Sequence, residues 1–546
     1  MARHGSALRR QRTQARTYAF RRDLGGLRAI LRGRPQERSG KASKAEAGDE
    51  RAEESDGGIV VQRMQNKAPQ GVADAEERRP PANGNLESQS TGRTQRRKAV
   101  SQAADRIREF VRRNPKERLT ALLHHITPEA LEAAYRRLER DAAAGVDGVQ
   151  WTDYEQGLDG KLHDLWQRVQ QGTYQAVPVR RVKIPKPDGG ERPLGIAALE
   201  DKIVQRALVD VVLNPIYEEE FLGFSYGFRP GRGAHDALDA LAYVIERRKV
   251  SWIVDCDIRK FFDEMNRDWM IRFLEHRIGD RRVTRLIGKW LHAGVMEDGL
   301  WGDTGKGSPQ GAIISPVLAN LYLHYVLDLW MDRKWRKQAA RGEVYIIRYA
   351  DDFVVAAQYR GDAERFLQDV QARFAQFGLR THPDKTRLIE FGRFAAANRR
   401  KRGQGNPETF DFLGFTHYCR EKRNGRFGLG RKPVGKRMRR TLQALRAALR
   451  RHMHRDVYET GRWLGQVLRG WLQYYAVPTS YRSLGNFVYQ VQRIWMRMLR
   501  RRSQKDRFSW ERLDRICQRL WPEVRIVHPW PTDRFTGTTG GKSRMR

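Results

Sequence analysis

Between residues 344 and 357 two apolar runs flank one acidic break. Val344 to Ile347 and Phe353 to Ala357 are rich in β-branched and aromatic residues and have strand length, so a β-hairpin is predicted with Asp351 and Asp352 in its turn. About ninety residues upstream, the apolar run Trp252 to Cys256 predicts another strand, which Asp257 closes. The stretch from Val182 to Ile196, broken at Asp188-Gly189-Gly190, reads as strand, glycine turn and strand, a basic hairpin. Helical apolar spacing marks Ala103 to Phe110 and Leu119 to Leu138, ending at the turn Ala144-Gly145-Val146-Asp147-Gly148. Ser315-Pro316 predicts the N-cap and first residue of a helix running to about Trp330. From Lys432 to Trp521 the pattern is helical and very basic, with Leu445, Leu464, Leu468, Trp471, Tyr474, Tyr475, Phe487 and Trp495 at apolar positions. Those aromatics fit a helical-bundle core better than a base-stacking platform. The mixture of elements places the chain in the α+β class.

Residues 1 to about 95 lack such periodicity and are rich in Arg, Gly, Glu, Ser and Gln, which predicts a mostly disordered, basic extension. Within it Phe20, Leu24, Leu27 and Leu31 have the spacing of one short amphipathic helix, and Met64 offers a downstream translation start. The early arginines are not followed by a long apolar core, so no secretory signal is expected.

The 546 residues suffice for three or four domains. Lys and Arg total 104 against 65 Asp and Glu, a formal net charge of +39, which predicts a polyanionic partner. No run of about 18 apolar residues is present, so nucleic acid is expected and a membrane is not. Cys256, Cys419 and Cys517 are far apart, which argues against a disulfide framework or a zinc ribbon. Cytoplasmic residence, in association with nucleoid or ribonucleoprotein, is the expectation.

Three carboxylates brought together by adjacent strands can hold two divalent metals about 4 Å apart, an arrangement suited to nucleotidyl transfer. Asp is also a common turn residue, so Asp351-Asp352 alone reads equally well as turn decoration. The neighbouring segments change that weighting. Asp257-Ile258-Arg259-Lys260-Phe261-Phe262-Asp263 and Gly307-Ser308-Pro309-Gln310-Gly311 resemble the palm of reverse transcriptases. With Ala144-Gly145-Val146-Asp147-Gly148, Ile184-Pro185-Lys186-Pro187 and Gly223-Phe224-Ser225-Tyr226-Gly227-Phe228-Arg229-Pro230 in the same order, residues 98 to 535 resemble a bacterial group II intron reverse transcriptase/maturase.

That resemblance implies a right-hand polymerase with an antiparallel palm sheet and an α-helical thumb/maturase domain. The implied divisions are a 1–95 extension, 96–250 N-terminal helices and fingers, 251–430 palm, 431–535 thumb/maturase and a 536–546 flexible tail. Asp257, Asp351 and Asp352 would ligate two Mg2+ ions, while Lys186 and Arg192 would grip the triphosphate of a deoxynucleoside triphosphate. Phe262 would sit under the sugar and reject a 2′-hydroxyl, and Gln310 and Gly311 would lie beside the nascent base pair. Lys385, in His382-Pro383-Asp384-Lys385-Thr386, would meet nucleotide or primer phosphate. Ala312 departs from the family, which commonly has a second glycine there. The implied partners are group II intron RNA, an RNA template with a DNA primer, and a DNA target. Without paired cysteines near its end, the chain is expected to lack the HNH endonuclease of many relatives.

At this level Lys186 and Arg192 also read as a solvated hairpin tip, and Phe261 or Phe262 as ordinary core. Two other functional classes stay open: a splicing-only maturase or RNA chaperone, and a domesticated reverse transcriptase of host repair or phage defence. Because each neutralised phosphate releases counterions, primer–template affinity should fall by about 10³-fold or more between about 50 and 200 mM salt. Fluorescence anisotropy checks this, and an affinity unchanged over that range contradicts the binding mode.

Overall fold

The computed structural model describes residues 87–185, 191–297, 300–302, 307, 311–502 and 508–539. The possible helix around Phe20 to Leu31 and most of the extension lie outside the described residues, as does most of the C-terminal tail. The chain divides into two units: over the described residues, the larger spans 87–413, 419–429 and 531–539, and the smaller 414–418 and 430–530.

The larger unit opens with α1 (Glu87–Arg113), α2 (Pro128–Arg137), α3 (Trp151–Glu155) and α4 (Leu158–Gln171). Helix α1 begins inside the stretch expected to be disordered, where Arg and Gln favour helix once started. Of the helical spacing over Leu119 to Leu138, only a 3-10 turn at Leu123–His125 and α2 form helix. Asp280 captures the Leu122 and Leu123 amides at 2.9 and 3.0 Å, Leu119 forms a parallel bridge to Ile278, and a new helix starts where Thr127 caps the Ala130 amide.

Next come β1 (Val179–Pro185), β2 (Glu191–Ile196), α5 (Leu199–Leu208), α6 (Asn214–Glu220) and α7 (Ala234–Arg247). They are followed by β3 (Trp252–Asp257), α8 (Phe261–Glu264), α9 (Arg267–Arg277), α10 (Arg281–His292), β4 (Val295–Glu297) and β5 (Leu300–Gly302). The basic hairpin forms as predicted, β1 antiparallel to β2 with Ile184 opposite Arg192, and β4 adds parallel to β1. Helix α10 shows why its sequence is helical: Val283, Leu286, Ile287, Trp290 and Leu291 bury one face, and Asp280 accepts from the Arg282 amide at its start.

Helix α11 (Ser315–Leu323) continues through π-helical segments His324–Asp328 and Trp330–Ala339. Its N-cap is Ile314 rather than Ser315, because the Ser315 amide already bonds to Ala312 and the turn begins one residue early. Strands β6 (Val344–Tyr349) and β7 (Asp352–Ala357), α12 (Arg360–Gln376), β8 (Arg387–Glu390) and α13 (Ala395–Lys401) follow. β6, β7, β3 and β8 form one antiparallel sheet in that order. Ile253, Val254, Ile346, Ile347 and Phe353 to Ala357 are all buried, so the strands read as mostly apolar runs, broken by Asp255 in β3 and Arg348 in β6. Phe366, Val370 and Phe374 of α12 join this core.

The chain passes between the units after Leu413, which follows β9 (Phe410–Phe412), and again within β10 (Phe415–Glu421) and β11 (Phe427–Pro433). The smaller unit holds α14 (Gly435–Arg451), α15 (Val457–Tyr475), α16 (Tyr481–Arg500) and α17 (Trp510–Leu520). Leu445, Leu464, Leu468, Phe487 and Trp495 are its core, and Trp471 stacks on Phe487 with centroids 3.8 Å apart, as bundle packing predicts. The final helix, α18 (Pro531–Thr539), returns to α7, where Arg534 pairs with buried Asp239 and Phe535 stacks on Tyr243 at 4.7 Å. Among the described residues no helix is long and apolar enough to cross a membrane.

Asp280 ties the 119–123 segment to α10. Burial raises its carboxyl, but the Arg282 side chain and the Leu122, Leu123 and Arg282 amides outweigh that and lower it to about 2. A depressed carboxylate contributes stability above its unfolded value near 3.9, which is lost as pH falls toward 2. Asp280→Ala should destabilise the larger unit by about 1–3 kcal/mol at pH 7, and speed hydrogen exchange at Leu122 and Leu123. Urea titrations of variant and wild type should converge near pH 2, and a difference that persists there would refute the assignment.

Candidate active site

Asp257, the last residue of β3, and Asp352, the first of β7, are register partners. Directly opposed antiparallel residues project to one face with Cβ atoms about 4.5–5.5 Å apart. The hairpin turn is tighter than predicted: Asp352 belongs to the strand, and only Ala350 and Asp351 connect β6 to β7. Asp257 Oδ2 accepts from Lys385 Nζ at 2.7 Å. The loop bearing Lys385 is fixed on the end of β3, since the His382 amide donates to Asp257 O at 2.8 Å and the Arg259 amide to Arg380 O at 2.9 Å. One pleat back, burial pushes the Asp255 carboxyl up to about 6, against the pull of Arg387 3.4 Å away. Among the described residues no three His, Cys, Asp or Glu side chains are grouped to hold a metal ion. The donor chemistry of Asp257, Asp351 and Asp352, hard carboxylate oxygens, fits Mg2+.

The turn is braced from behind. Ala350 has φ +59°, a left-handed conformation that costs a non-glycine residue about 1–3 kcal/mol. The 223–230 segment runs beneath it, the Tyr226 amide donating to Arg348 O at 2.8 Å and the Arg348 amide to Phe224 O at 2.9 Å. At Gly227 a Cβ would stand 2.3 Å from the Ala350 nitrogen, so only glycine fits. Arg229, 2% exposed, ties the same segment by donating to Leu222 O and Ser225 O at 2.8 Å each and pairing with Glu218.

Phe261 is buried and meets Tyr322 edge-on, whereas Phe262 is half-buried, so Phe261 is the core ring of the pair. Gly311 has φ +109°, and a Cβ there would lie 2.6 Å from Gly195 O; its close approach is to β2. The loop continues under the buried Gln205, whose Oε1 accepts from the Ile313 amide at 3.0 Å. Arg192 lies in β2, while Lys186 and Gln310 fall outside the described residues.

Residues 184–417 match the family described as reverse transcriptase (RNA-dependent DNA polymerase). The chain is similar to Protein YkfC of Escherichia coli K12, 32% identical over 322 residues, which are 53% of this chain and 84% of that protein. It is similar to the group II intron-encoded protein LtrA of Lactococcus lactis subsp. cremoris, 35% identical over 233 residues, 42% of this chain and 38% of LtrA. Nuclear intron maturase 3 of Arabidopsis thaliana shares 28% identity over 166 residues, 27% of this chain and 23% of that protein. The chain belongs to the group II intron reverse transcriptase/maturase family.

The matched span of this reverse transcriptase contains the three carboxylates, Phe262, Lys385 and the loop holding Gly311. It also contains residues that sequence reading passed over: Asn320, Asp328 and Arg348. The available signal was an arginine inside the otherwise apolar strand Val344-Tyr345-Ile346-Ile347-Arg348-Tyr349. Its partners come from distant segments and leave no local pattern.

Gly227→Ala forces a methyl into the Ala350 backbone, and misplacing a reacting group by about 1 Å can cost about 100-fold in rate. Single-turnover extension by this variant should fall at least about tenfold while primer–template affinity holds. Extension at the wild-type rate would show that the turn tolerates displacement.

Proposed function

We propose that the chain copies RNA into cDNA by two-metal nucleotidyl transfer at Asp257, Asp351 and Asp352, and that it binds group II intron RNA to assist splicing and insertion at a DNA target. The observation that carries this reading is the pairing of Asp257 with Asp352 at the ends of adjacent strands, with Asp351 next in the turn, inside the span matching reverse transcriptases. In this assignment residues 96–250 are N-terminal helices and fingers, 251–430 palm and 431–535 thumb/maturase.

The three carboxylates would hold two Mg2+ ions, which when bound activate the primer 3′-hydroxyl and neutralise the triphosphate. The remaining work falls to the chain itself. Lys385 balances Asp257 while no ion does so, and in this reading it turns to meet nucleotide or primer phosphate. Lys186 and Arg192, on the fingers hairpin, oppose negative charge developing on the triphosphate. Phe262, the half-buried ring of its pair, presents a surface against the sugar where a 2′-hydroxyl would clash. Gln310 and Gly311 flank the nascent pair, and the contact of Gly311 with β2 couples that loop to the hairpin. Intron binding is supported by the relationship to LtrA and by the net charge of +39.

Purified wild type should extend a DNA primer on an RNA template with deoxynucleotides only when magnesium is present. Asp351→Ala/Asp352→Ala should bind the same primer–template and fail to extend it. Extension by the double variant would overturn the site assignment, and failure of both proteins with RNA binding intact would favour a splicing-only maturase.

A further inference from the structure

Behind the turn, Arg348, Asp328, Asn320 and Ser225 are each at most 1% exposed, beyond the reach of any substrate. The Arg348 guanidinium spends all five of its N–H groups there. Nε donates to Asp328 Oδ1 at 2.8 Å, Nη1 to Asn320 Oδ1 at 2.9 Å and to Ala350 O at 3.0 Å, and Nη2 to Ser225 Oγ at 2.7 Å and to Asp328 Oδ2. Asn320 closes the circuit, its Nδ2 donating to Gly227 O at 2.7 Å, the residue packed on Ala350. A guanidinium is a rigid planar fork. One side chain therefore fixes a helix, a loop and the turn in a single geometry.

The helix is built for this. Asn320 and Asp328 are eight residues apart and would lie about 80° apart around a regular α-helix. The π-helical turn His324–Asp328, closed by i→i+5 bonds, takes up that angle, so both side chains reach the same guanidinium. π-turns of this sort recur at functional sites.

We propose that Arg348, with Asp328, Asn320 and Ser225, is the positioning element of the active site, holding Ala350 in its left-handed conformation and so setting where Asp351 and Asp352 stand. The inference rests on the reading of those two carboxylates as catalytic. A filler of the core would be replaceable by apolar side chains, because exchanging both members of a buried ion pair leaves no stranded charge. A positioning element is not replaceable in that way, since the Ala350 carbonyl and Asn320 lose their donor.

The test uses the full chain carrying Arg348→Met/Asp328→Leu, beside wild type and Asp351→Ala/Asp352→Ala. Single-turnover extension by the first variant should fall by about 100-fold. The magnesium concentration for half-maximal rate should rise, and fewer Mn2+ ions should be counted by electron paramagnetic resonance on the primer–template complex. Its melting temperature and primer–template affinity should stay near wild type. A folded variant with wild-type rate and metal dependence overturns the proposal alone, provided that the double alanine variant is inactive. If the double alanine variant extends primers, the catalytic reading falls and the proposal with it. Should Arg348→Met/Asp328→Leu not fold, Asn320→Ala and Ser225→Ala each remove one bond to the fork. A raised metal requirement in either supports the proposal, and wild-type behaviour in both overturns it.

Discussion

A buried guanidinium can be kept only if every one of its protons has a partner. Removing an ion from water costs several kcal/mol, and the attraction of a counter-ion offsets this only when hydrogen bonding is complete. Arg348 meets that condition through three side chains and one backbone carbonyl. The condition works in both directions. If the turn relaxed, Ala350 O would withdraw, and a buried N–H would be left without an acceptor at a penalty of about 1–3 kcal/mol. That is comparable to the strain of about 1–3 kcal/mol that Ala350 would shed by leaving its left-handed conformation. The strained turn persists because its escape breaks a network that cannot be broken singly.

Much of the larger unit was legible in its sequence because the strands of its central sheet are mostly apolar runs ended by charged or turn residues. Trp252 to Asp257 and Phe353 to Ala357 needed only composition and length, and the basic hairpin needed only its glycines. Errors arose where a distant side chain decided a local outcome. Leu119 to Leu138 carries a helical pattern, yet Asp280, some 160 residues away, takes the amides that a helix would have used. At Ser315 the chain presents a good cap residue, but the turn closes one residue earlier through Ala312 O. In the candidate site, the carboxylates were visible as a motif, whereas the residues behind them were not. Asn320, Asp328 and Ser225 are ordinary polar residues until a π-turn and a crossing loop bring them to Arg348.

Two ion pairs serve the carboxylates in opposite ways. Lys385 and Asp257 meet at the surface, with side chains 61% and 34% exposed, where such pairs are worth about 0–1 kcal/mol. A contact that weak is readily exchanged for another partner. Arg348 and Asp328 are wholly buried and bonded on all sides, so their pair holds its geometry through any change at the surface. If these carboxylates bind and release charged groups on every cycle, as proposed, the site needs both kinds of pairing. The weak pair faces solvent at the 382–386 loop, and the buried pair lies in the core behind the hairpin. On the proposed catalytic reading, exchanging their locations would leave the carboxylates either permanently neutralised or free to drift, and neither state would support repeated nucleotide addition.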